Sequence, residues 1–235
     1  SNAGLAEAGQ LAFFVAAPER GVAPGGPETA TAVDDDATAV EPAASAHLWQ
    51  IHDTYILAET RSGLLIIDQH SAHERILFQE LMEGFSAGGQ PCQRLLFPLT
   101  LRLTPAEYDV VEASLGMFER AGFEIEPFGS RTMIVHTAPQ PHPYFDAARC
   151  LREMIAELTA GSELTRAAGN QHERIAMTFA CKGAIKAGQT LTAREMEELF
   201  DRLFATDLPY HDVHGRPTVV RLSVQELERR FGRHG

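Results

Sequence analysis

The sequence predicts a mixed α/β (α+β) domain that is preceded by a segment without regular structure. Three short apolar runs, 48–52, 54–59 and 63–68, are separated by turn-forming residues and have the length of strands. Longer stretches with helical spacing of apolar residues follow, and two of them begin after a threonine that can cap a helix. A hydrophobic content of 44% is ordinary for a globular protein.

The remaining elements are predicted from the same signals. A helix is expected at 70–84, because Gly84 and Gly88-Gly89 follow its apolar spacing. Thr104 and Pro105 predict the start of a helix that runs to about Ala121. The other expected elements are strands at 95–103, 123–128, 131–137 and 217–223, a hairpin turn at Phe128-Gly129-Ser130, helices at 145–159, 167–187, 193–205 and 224–232, and a cap at Thr192.

Composition separates the first 45 residues from the rest of the chain. Residues 1–45 are rich in Ala, Gly, Pro, Thr and Asp and have almost no periodicity, which predicts a disordered linker. Its first residues, 1–3, resemble the remnant of a cleaved purification tag. The sequence contains no apolar run of membrane-spanning length and no secretory signal. Three cysteines without paired spacing, Cys92, Cys150 and Cys181, predict a reducing cytoplasm.

The charge of the chain argues against strong binding to nucleic acid by this domain alone. The net charge is −12, and residues 1–45 carry seven acids and one base. The remainder therefore has 25 acids and 19 bases. Since affinity for duplex DNA depends on neutralising phosphates, we expect weak intrinsic binding unless a partner delivers the DNA.

A predicted strand that ends in polar residues is the main chemical signal. The apolar run 63–67 is followed by Asp68, and then by His70 and Glu74 at a spacing of four residues. On a helix that spacing places His70 and Glu74 on one face, as in helical metal motifs. With Asp68 at the strand end, the three predict a divalent-metal site. The alternative is that Asp68 caps the helix and the others are solvated surface.

Later motifs strengthen this signal. Ala180-Cys181-Lys182 lies near the end of an amphipathic stretch, and Phe231-Gly232-Arg233 lies near the end of the sequence. His214-Gly215-Arg216-Pro217 precedes a strand-like run, where the glycine relaxes the backbone and the proline excludes helix. Together with Asp68-Gln69-His70-Ser71, these motifs resemble, in order, those of the C-terminal domain of the MutL family of DNA mismatch-repair proteins. The resemblance covers about Ala46 to Arg233.

The resemblance implies an architecture that periodicity does not reveal. One α/β subdomain would be built from both ends, 46–88 plus 166–235, and would carry dimerisation and the metal site. A smaller regulatory subdomain, 89–165, would be inserted between them. The linker 1–45 would join this domain to an N-terminal ATPase, so that ATP would be bound only by that other domain. The implied partners are a second copy of the chain, the mismatch-recognition protein MutS, the replication sliding clamp and DNA, in the bacterial cytoplasm at the nucleoid.

The resemblance also implies roles for individual residues. In the nuclease-competent branch of the family these motifs bind metal jointly. The implied ligands are Asp68, His70, Glu74, Cys181, Asp212 and His214, with Asp68, His70 and Glu74 catalytic and Arg216 in contact with phosphate. Asp212 stands where the family usually has Cys, and a carboxylate in place of a thiolate favours Mn²⁺ or Mg²⁺ over Zn²⁺. The expected cofactor is a divalent metal, Mn²⁺ or Zn²⁺.

Several residues near the motifs have other interpretations. Gln79 stands where the family motif has a second Glu, although the adjacent Glu80 is able to take its place. Cys181 has the alternative interpretation of a small buried hydrophobic residue. Three histidines match no family ligand and are predicted to lie at the surface: His73, His172 and His211.

A further motif resembles the short peptide by which bacterial proteins dock on the sliding clamp. It comprises Gln93, Leu95, Leu96 and Phe97, and family members carry a clamp-binding segment in this place. The alternative is an ordinary strand in which Leu95 and Phe97 are buried. The segment 10–14 fits the same pattern and is the second candidate.

Two functional hypotheses follow. The first is a homodimeric, metal-dependent endonuclease that nicks DNA during mismatch repair. The second is a catalytically inactive scaffold for dimerisation and matchmaking. Gln79 and Asp212 favour the scaffold, whereas the retained His70, Glu74 and His214 favour the nuclease.

Overall fold

The computed structural model describes residues 47–162, 166 and 168–233. The predictions for the linker 1–45 and for the clamp-like segment 10–14 therefore lie outside the described residues. The strands are β1 Leu48–Ile51, β2 Tyr55–Thr60, β3 Gly63–Asp68, β4 Gln93–Arg102, β5 Ile125–Gly129, β6 Thr132–Ala138 and β7 Val219–Ser223. The helices are α1 Gln69–Ala87, α2 Pro105–Glu112, α3 Leu115–Arg120, α4 Ala147–Ala160, α5 Gln171–Gly183, α6 Ala193–Phe204 and α7 Val224–Arg230.

Two antiparallel sheets organise these elements. The first has the order β1-β2-β3-β7, and the second has the order β4-β6-β5. The first sheet thus joins strands from both ends of the described chain, and the second uses strands from its middle. The mixed α/β class is confirmed, whereas the division into subdomains at residues 89 and 165 stays a prediction.

Polar side chains cap the starts of most of these helices. Thr104 and Thr192 each form a capping box with a glutamate three residues later, which satisfies backbone groups that the first turn leaves unpaired. Both threonines were predicted as caps, and both predictions are confirmed. Asp68 caps α1 by accepting hydrogen bonds from the backbone N–H groups of His70 and Ser71.

Two predicted helices differ from the observed ones. The helix expected to run to Ala121 is broken in two at Ser114, whose ψ of 10° and φ of −120° leave the helical region. Phe118, on the second of the two helices, is fully buried in the core. The helix expected at 167–187 spans only 171–183, because Ala184 has an extended backbone with ψ of 152°. The chain after Ala184 bonds to α1 instead of continuing the helix.

One buried cluster connects α1, α4 and α5 with the second sheet. Its members include Leu77 and Leu81 of α1, Met133 of β6, Met154 of α4 and Phe179 of α5. The inner face of the first sheet is also buried, through Ile56, Ala58, Leu65 and Ile67. Helix α1 follows β3 directly and packs against α5 and α6, which brings its first turns beside segments from the C-terminal part of the chain. Among the described helices, none combines the length and apolarity that crossing a membrane requires.

Candidate metal centre

Three distant segments bring potential metal ligands together. Glu74 lies on the second turn of α1, Cys181 lies near the end of α5, and His214 lies in the turn before β7. The Cys181 Sγ is 3.2 Å from the His214 Nε2. That imidazole nitrogen is 3.9 Å from the Glu74 Oε2. One donor atom from each residue lies within 4.8 Å of the others, which is close enough for a single ion to bind all three.

His70 adjoins this group through Glu74. Its Nδ1 is 2.7 Å from the carbonyl oxygen of Ile185, and because a carbonyl only accepts, Nδ1 carries a proton. Its Nε2 is 3.2 Å from the Glu74 Oε1. The hydrogen bond to Glu74 raises the pKa of His70 above its ordinary value, although burial acts in the opposite direction. The extended backbone after α5 therefore orients the imidazole of His70.

The predicted ligand Asp68 has a different environment. Its Oδ1 accepts hydrogen bonds of 2.9 Å from the backbone N–H groups of both His70 and Ser71. This is the capping role that the sequence left as the alternative. The charge of Asp68 still reaches the site, since it contributes to a raised pKa of Arg216 after the larger effect of the hydrogen bond with Asp212.

Burial and neighbouring charges set the protonation of the central residues. Burial acts to raise the pKa of Glu74, but the hydrogen bond with His70, and then the charges and hydrogen bonds of His70, Cys181 and His214, lower it below its ordinary value. The buried group is thus a carboxylate. For Cys181, burial first and the Glu74 charge second raise the pKa to about 12. Binding of a cation by Cys181 would therefore release a proton.

The turn that carries His214 is organised by Asp212. Its side chain is fully buried, and its Oδ1 accepts hydrogen bonds of 2.8 Å from the backbone N–H groups of His214 and Arg216. Its Oδ2 accepts one of 2.6 Å from Arg216 Nε. Arg216 also contacts the Glu74 Oε2 at 3.3 Å. The carboxylate of the predicted ligand Asp212 is thus hydrogen-bonded to the turn that carries His214.

Arg75 attaches the same turn to α1, a role that was not predicted. Its Nε and Nη2 donate to the backbone carbonyls of His211 and Asp212, at 2.6 and 2.8 Å. Its guanidinium also lies over the ring of Phe78, 5.7 Å from the centroid. The sequence signal for Arg75 was only its position next to Glu74 in the motif.

Comparisons with known proteins identify the family to which the chain belongs. The sequence model of the family described as the MutL C-terminal dimerisation domain matches residues 48–191, which is more than half of the chain. The chain belongs to this family. It is 52% identical to the DNA mismatch repair protein MutL of Gemmatimonas aurantiaca over 186 residues, which is 79% of this chain and 30% of that protein.

A second relative has a similar extent. The DNA mismatch repair protein MutL of Chlorobaculum tepidum is 38% identical over 199 residues, 85% of this chain and 32% of that protein. The chain thus spans about a third of the length of these curated MutL relatives. His214 lies beyond the matched range 48–191, so its place in the site rests on the geometry.

Within the MutL motif Asp-Gln-His, the middle residue has a structural role that was not predicted. Gln69 is fully buried, and its Nε2 donates to the carbonyls of Asp53, Gln189 and Lys186 at 2.8, 3.1 and 3.2 Å. Its Oε1 accepts a hydrogen bond of 2.7 Å from Gln50. Gln69 therefore ties the start of α1 to the turn after β1 and to the chain after α5. This connection holds the first turn of α1, which contains His70, against the chain after α5.

The prediction that His73 lies at the surface is wrong. Only 2% of His73 is exposed, and its Nδ1 accepts a hydrogen bond of 2.9 Å from the backbone N–H of Ile185. Burial lowers its pKa well below the ordinary value, so the ring is neutral. Its spacing of four from Leu77 was the available signal, because that spacing places both on one stripe of α1. His172 is half-buried against Phe85, and His211 is exposed as predicted.

Gln79, at the second Glu position of the MutL motif, and the adjacent Glu80 have hydrogen-bond partners outside the candidate metal site. Glu80 forms a bidentate ion pair with Arg202 of α6, at 2.8 and 2.9 Å from its Nη2. Gln79 accepts a hydrogen bond from the backbone N–H of Asp207 and donates to Glu83. The expectation that Glu80 takes the place of the second Glu is therefore wrong in this structure, since its carboxylate serves contact between helices.

The clamp-like segment lies on β4 and is largely exposed. Pairing between β4 and β6 is irregular between Arg94 and Leu99, and within that interval Leu96 is 88% and Phe97 80% exposed. Leu95 is half-buried against the core. The alternative interpretation was right about a strand, but Leu95 is only half-buried and Phe97 is not buried. Gln93 donates a hydrogen bond of 2.9 Å to the side chain of Gln140.

Proposed function

We propose that this domain is the homodimeric, metal-dependent DNA-nicking module of a MutL protein that acts in DNA mismatch repair. The observation that carries the proposal is the convergence of Glu74, Cys181 and His214 from three segments far apart in sequence. A buried carboxylate, a thiol and an imidazole at such distances are costly to assemble without a ligand that uses them.

The donor set fits a borderline divalent metal. One carboxylate, one sulfur and one imidazole nitrogen suit Zn²⁺ and also bind Mn²⁺. A site with three protein ligands leaves coordination positions for water or substrate, as hydrolytic centres require. When bound, such a metal supplies a Lewis acid and lowers the pKa of water, the usual requirements for phosphodiester hydrolysis.

The chain's own residues have complementary roles. The hydrogen bond with His70 keeps Glu74 a carboxylate, so that it is ready to bind a cation without losing a proton, and Arg216 lies 3.3 Å from its Oε2. His70 keeps a proton at Nδ1 through Ile185, which leaves Nε2 as the atom facing the site. The Arg216 side chain is 58% exposed beside these acids and is the candidate contact for a substrate phosphate. Asp68 contributes negative charge from the cap of α1.

Two measurements test this proposal. One is a nicking assay on supercoiled plasmid with Mn²⁺, and the other is the metal content of the protein by elemental analysis. We expect Glu74→Gln and His214→Ala to lose both nicking and bound metal. Asp68→Asn should keep the fold, because Asn caps helices as well as Asp does, while removing a negative charge that we expect nicking to need. Exposed Glu197 on α6 provides the control Glu197→Gln, which should behave as the wild type.

The outcomes separate the two functional hypotheses. If the wild-type chain binds no divalent metal and Glu74→Gln nicks plasmid as well as the wild type does, the nuclease proposal is wrong. A wild type that dimerises but neither binds metal nor nicks would favour the inactive dimerisation and matchmaking scaffold.

Homodimerisation has its own structural support. The strand register places Trp49, Leu57, Ile66 and Val220 in one row across the first sheet, on the face opposite the buried one. Trp49 is 49% and Val220 52% exposed, so the row is an apolar surface suited to a second copy of the chain. In a symmetric dimer, a charge introduced at the centre of this row would be present in both copies, so two like charges would meet at the interface. We expect Ile66→Glu to give monomers by sedimentation.

A matched control uses an exposed apolar residue outside the sheet. Leu208 is 60% exposed in the segment after α6, and Leu208→Glu should leave the dimer intact. Dimers of Ile66→Glu at micromolar concentration would exclude this row as the interface.

The exposed part of β4 supports a clamp ligand. Leu96 and Phe97 present apolar side chains to solvent next to Gln93, in keeping with a peptide that docks on a partner. Because the domain is acidic, tethering to a DNA-bound clamp would raise its effective concentration near duplex. MutS and an ATP-binding N-terminal domain are the further partners that we propose for the whole protein.

Stimulation of nicking by loaded clamp provides the test. We expect Gln93→Ala with Phe97→Ala to lose stimulation, and Phe128→Ala, which removes an exposed ring from β5, to keep it. Stimulation that persists in the double variant and disappears when residues 1–45 are removed would assign the role to 10–14. A wild type without stimulation would contradict clamp recruitment.

A further inference from the structure

The turn between Asp212 and Arg216 is closed by hydrogen bonds of its own backbone. The Asp212 N–H donates to the Arg216 carbonyl at 2.9 Å, and the Gly215 N–H donates to the Asp212 carbonyl at 3.2 Å. Gly215 has a φ of +78°, a left-handed conformation that glycine adopts without strain. The tight turn leaves the N–H groups of His214 and Arg216 pointing inward, where Asp212 accepts both.

We propose that Asp212 is a positioning residue rather than a metal ligand, and that it acts with Arg75 to hold His214 against Glu74 and Cys181. The inference rests on the proposed metal site and assigns this residue a different role from the cysteine that the MutL family has there. It reduces the side chains that meet the ion to Glu74, Cys181 and His214, with His70 adjacent.

The hydrogen bonds of Asp212 argue against its binding a metal. Both carboxylate oxygens are bonded, Oδ1 to two backbone N–H groups and Oδ2 to the Arg216 guanidinium. Turning the carboxylate toward an ion would break these three charge-assisted hydrogen bonds, and each loss costs free energy. Within the described part of the chain, the set of donors close enough to share one ion does not include Asp212.

Arg75 of α1 binds the base of the same turn. Its two hydrogen bonds end on carbonyls of His211 and Asp212, at the base of the turn. Arg75 follows Glu74 on α1. The same helix turn therefore carries both the carboxylate at the centre of the site and the guanidinium that binds the segment containing His214. Arg75 has no contact with the three donor atoms in the described hydrogen bonds, so its influence on the metal is through the position of His214.

Amide hydrogen exchange in metal-free protein tests the positioning role without relying on metal. In the wild type the N–H groups of His214 and Arg216 should be protected. Asp212→Ala should speed their exchange by roughly tenfold or more, since each loses a charge-assisted hydrogen bond. Asp212→Asn retains an Oδ1 that accepts both and should restore most of the protection. Exchange in Asp212→Ala that matches the wild type would overturn the proposal.

Titration with Co²⁺ distinguishes a positioning residue from a ligand, because thiolate charge-transfer absorption reports contact with Cys181. We expect Asp212→Ala to weaken Co²⁺ binding roughly 10–100-fold, with Asp212→Asn recovering to within about tenfold of the wild type. Both variants should show the wild-type spectrum at saturation, since the atoms around the ion are unchanged. Arg75→Met should weaken binding by about tenfold and also keep the spectrum.

Two further variants serve as controls for the Co²⁺ titration. Asp201→Ala, at an exposed position on α6, should bind as the wild type does, and His214→Ala should lose binding. A saturated spectrum that changes in Asp212→Asn would identify Asp212 as a ligand and overturn the proposal. If the wild type binds no Co²⁺, the proposed metal site is wrong, whereas the exchange experiment still decides whether Asp212 and Arg75 order the turn.

Discussion

Gln69 offers a test of how the start of α1 is held in place. Gln69→Ala removes a fully buried side chain that contacts three carbonyls and accepts from Gln50. The amide has two protons, so it donates the equivalent of two hydrogen bonds to the three carbonyls, and its oxygen accepts one more from Gln50. The variant therefore loses about three hydrogen bonds of roughly 1 kcal/mol each. The carbonyls of Asp53 and Gln189 keep other partners, which limits the penalty of desolvation. We expect a loss of roughly 2–4 kcal/mol in the free energy of unfolding.

A second variant separates the lost donor from the lost volume. Gln69→Glu keeps the size of the side chain but turns an acceptor oxygen toward three carbonyl oxygens. At neutral pH it should be destabilised at least as much as Gln69→Ala, because a buried carboxylate with Gln50 as its side-chain donor and three carbonyl oxygens around it is costly.

Urea unfolding followed by circular dichroism measures both changes. All variants should be compared at one protein concentration, since the stability of a dimer depends on it. Gln225→Ala, at an exposed position on α7, is the control and should differ from the wild type by less than about 0.5 kcal/mol. A Gln69→Glu variant as stable as the wild type, or a loss below about 1 kcal/mol for Gln69→Ala, would refute the role given to this amide.

The remaining predictions concern thiols, pH and the linker. Alkylation at neutral pH, followed by mass spectrometry, should label exposed Cys92 first and leave Cys150 unlabelled until unfolding, because burial raises the pKa of Cys150 to about 12; equal labelling would contradict its burial. Buried His73 is neutral in the folded protein and binds a proton only after unfolding. Protonation therefore favours the unfolded state and lowers the stability as the pH falls below 6.5, the ordinary pKa of histidine. His73→Phe should therefore lessen the loss of stability between that pH and about pH 5, by up to about 1.4 kcal/mol per pH unit, in urea unfolding; an unchanged slope would show that His73 is protonated in the fold. Removal of residues 1–45, which have no apolar periodicity, should leave a dimer by light scattering, and a monomer would move the interface to the linker.

Local signals in the sequence account for most of the secondary structure. The capping boxes at Thr104 and Thr192 need only residues three apart, so the starts of α2 and α6 were predictable. The ends of elements were less so. The break at Ser114 and the extended backbone at Ala184 have no strong local signal. Contacts distant in sequence accompany them, namely the hydrogen bond from Gln171 to Ser114 and the hydrogen bonds of Ile185 with His70 and His73.

The sequence by itself determined the kinds of side chain available for a metal centre and the order of the motifs that contain them. It also placed His70 and Glu74 on one face of a helix, because that relation depends only on helical spacing. The tertiary structure decided which of these residues meet. Pairing of β3 with β7 brings the turn containing His214 to the start of α1, and packing of α5 on α1 brings Cys181 beside it. A carboxylate faces either the centre of the site or a backbone amide, depending on which hydrogen-bond donors the fold places near it. That is why Asp68 caps a helix and Asp212 orders a turn, while Glu74 alone among these acids lies at the centre.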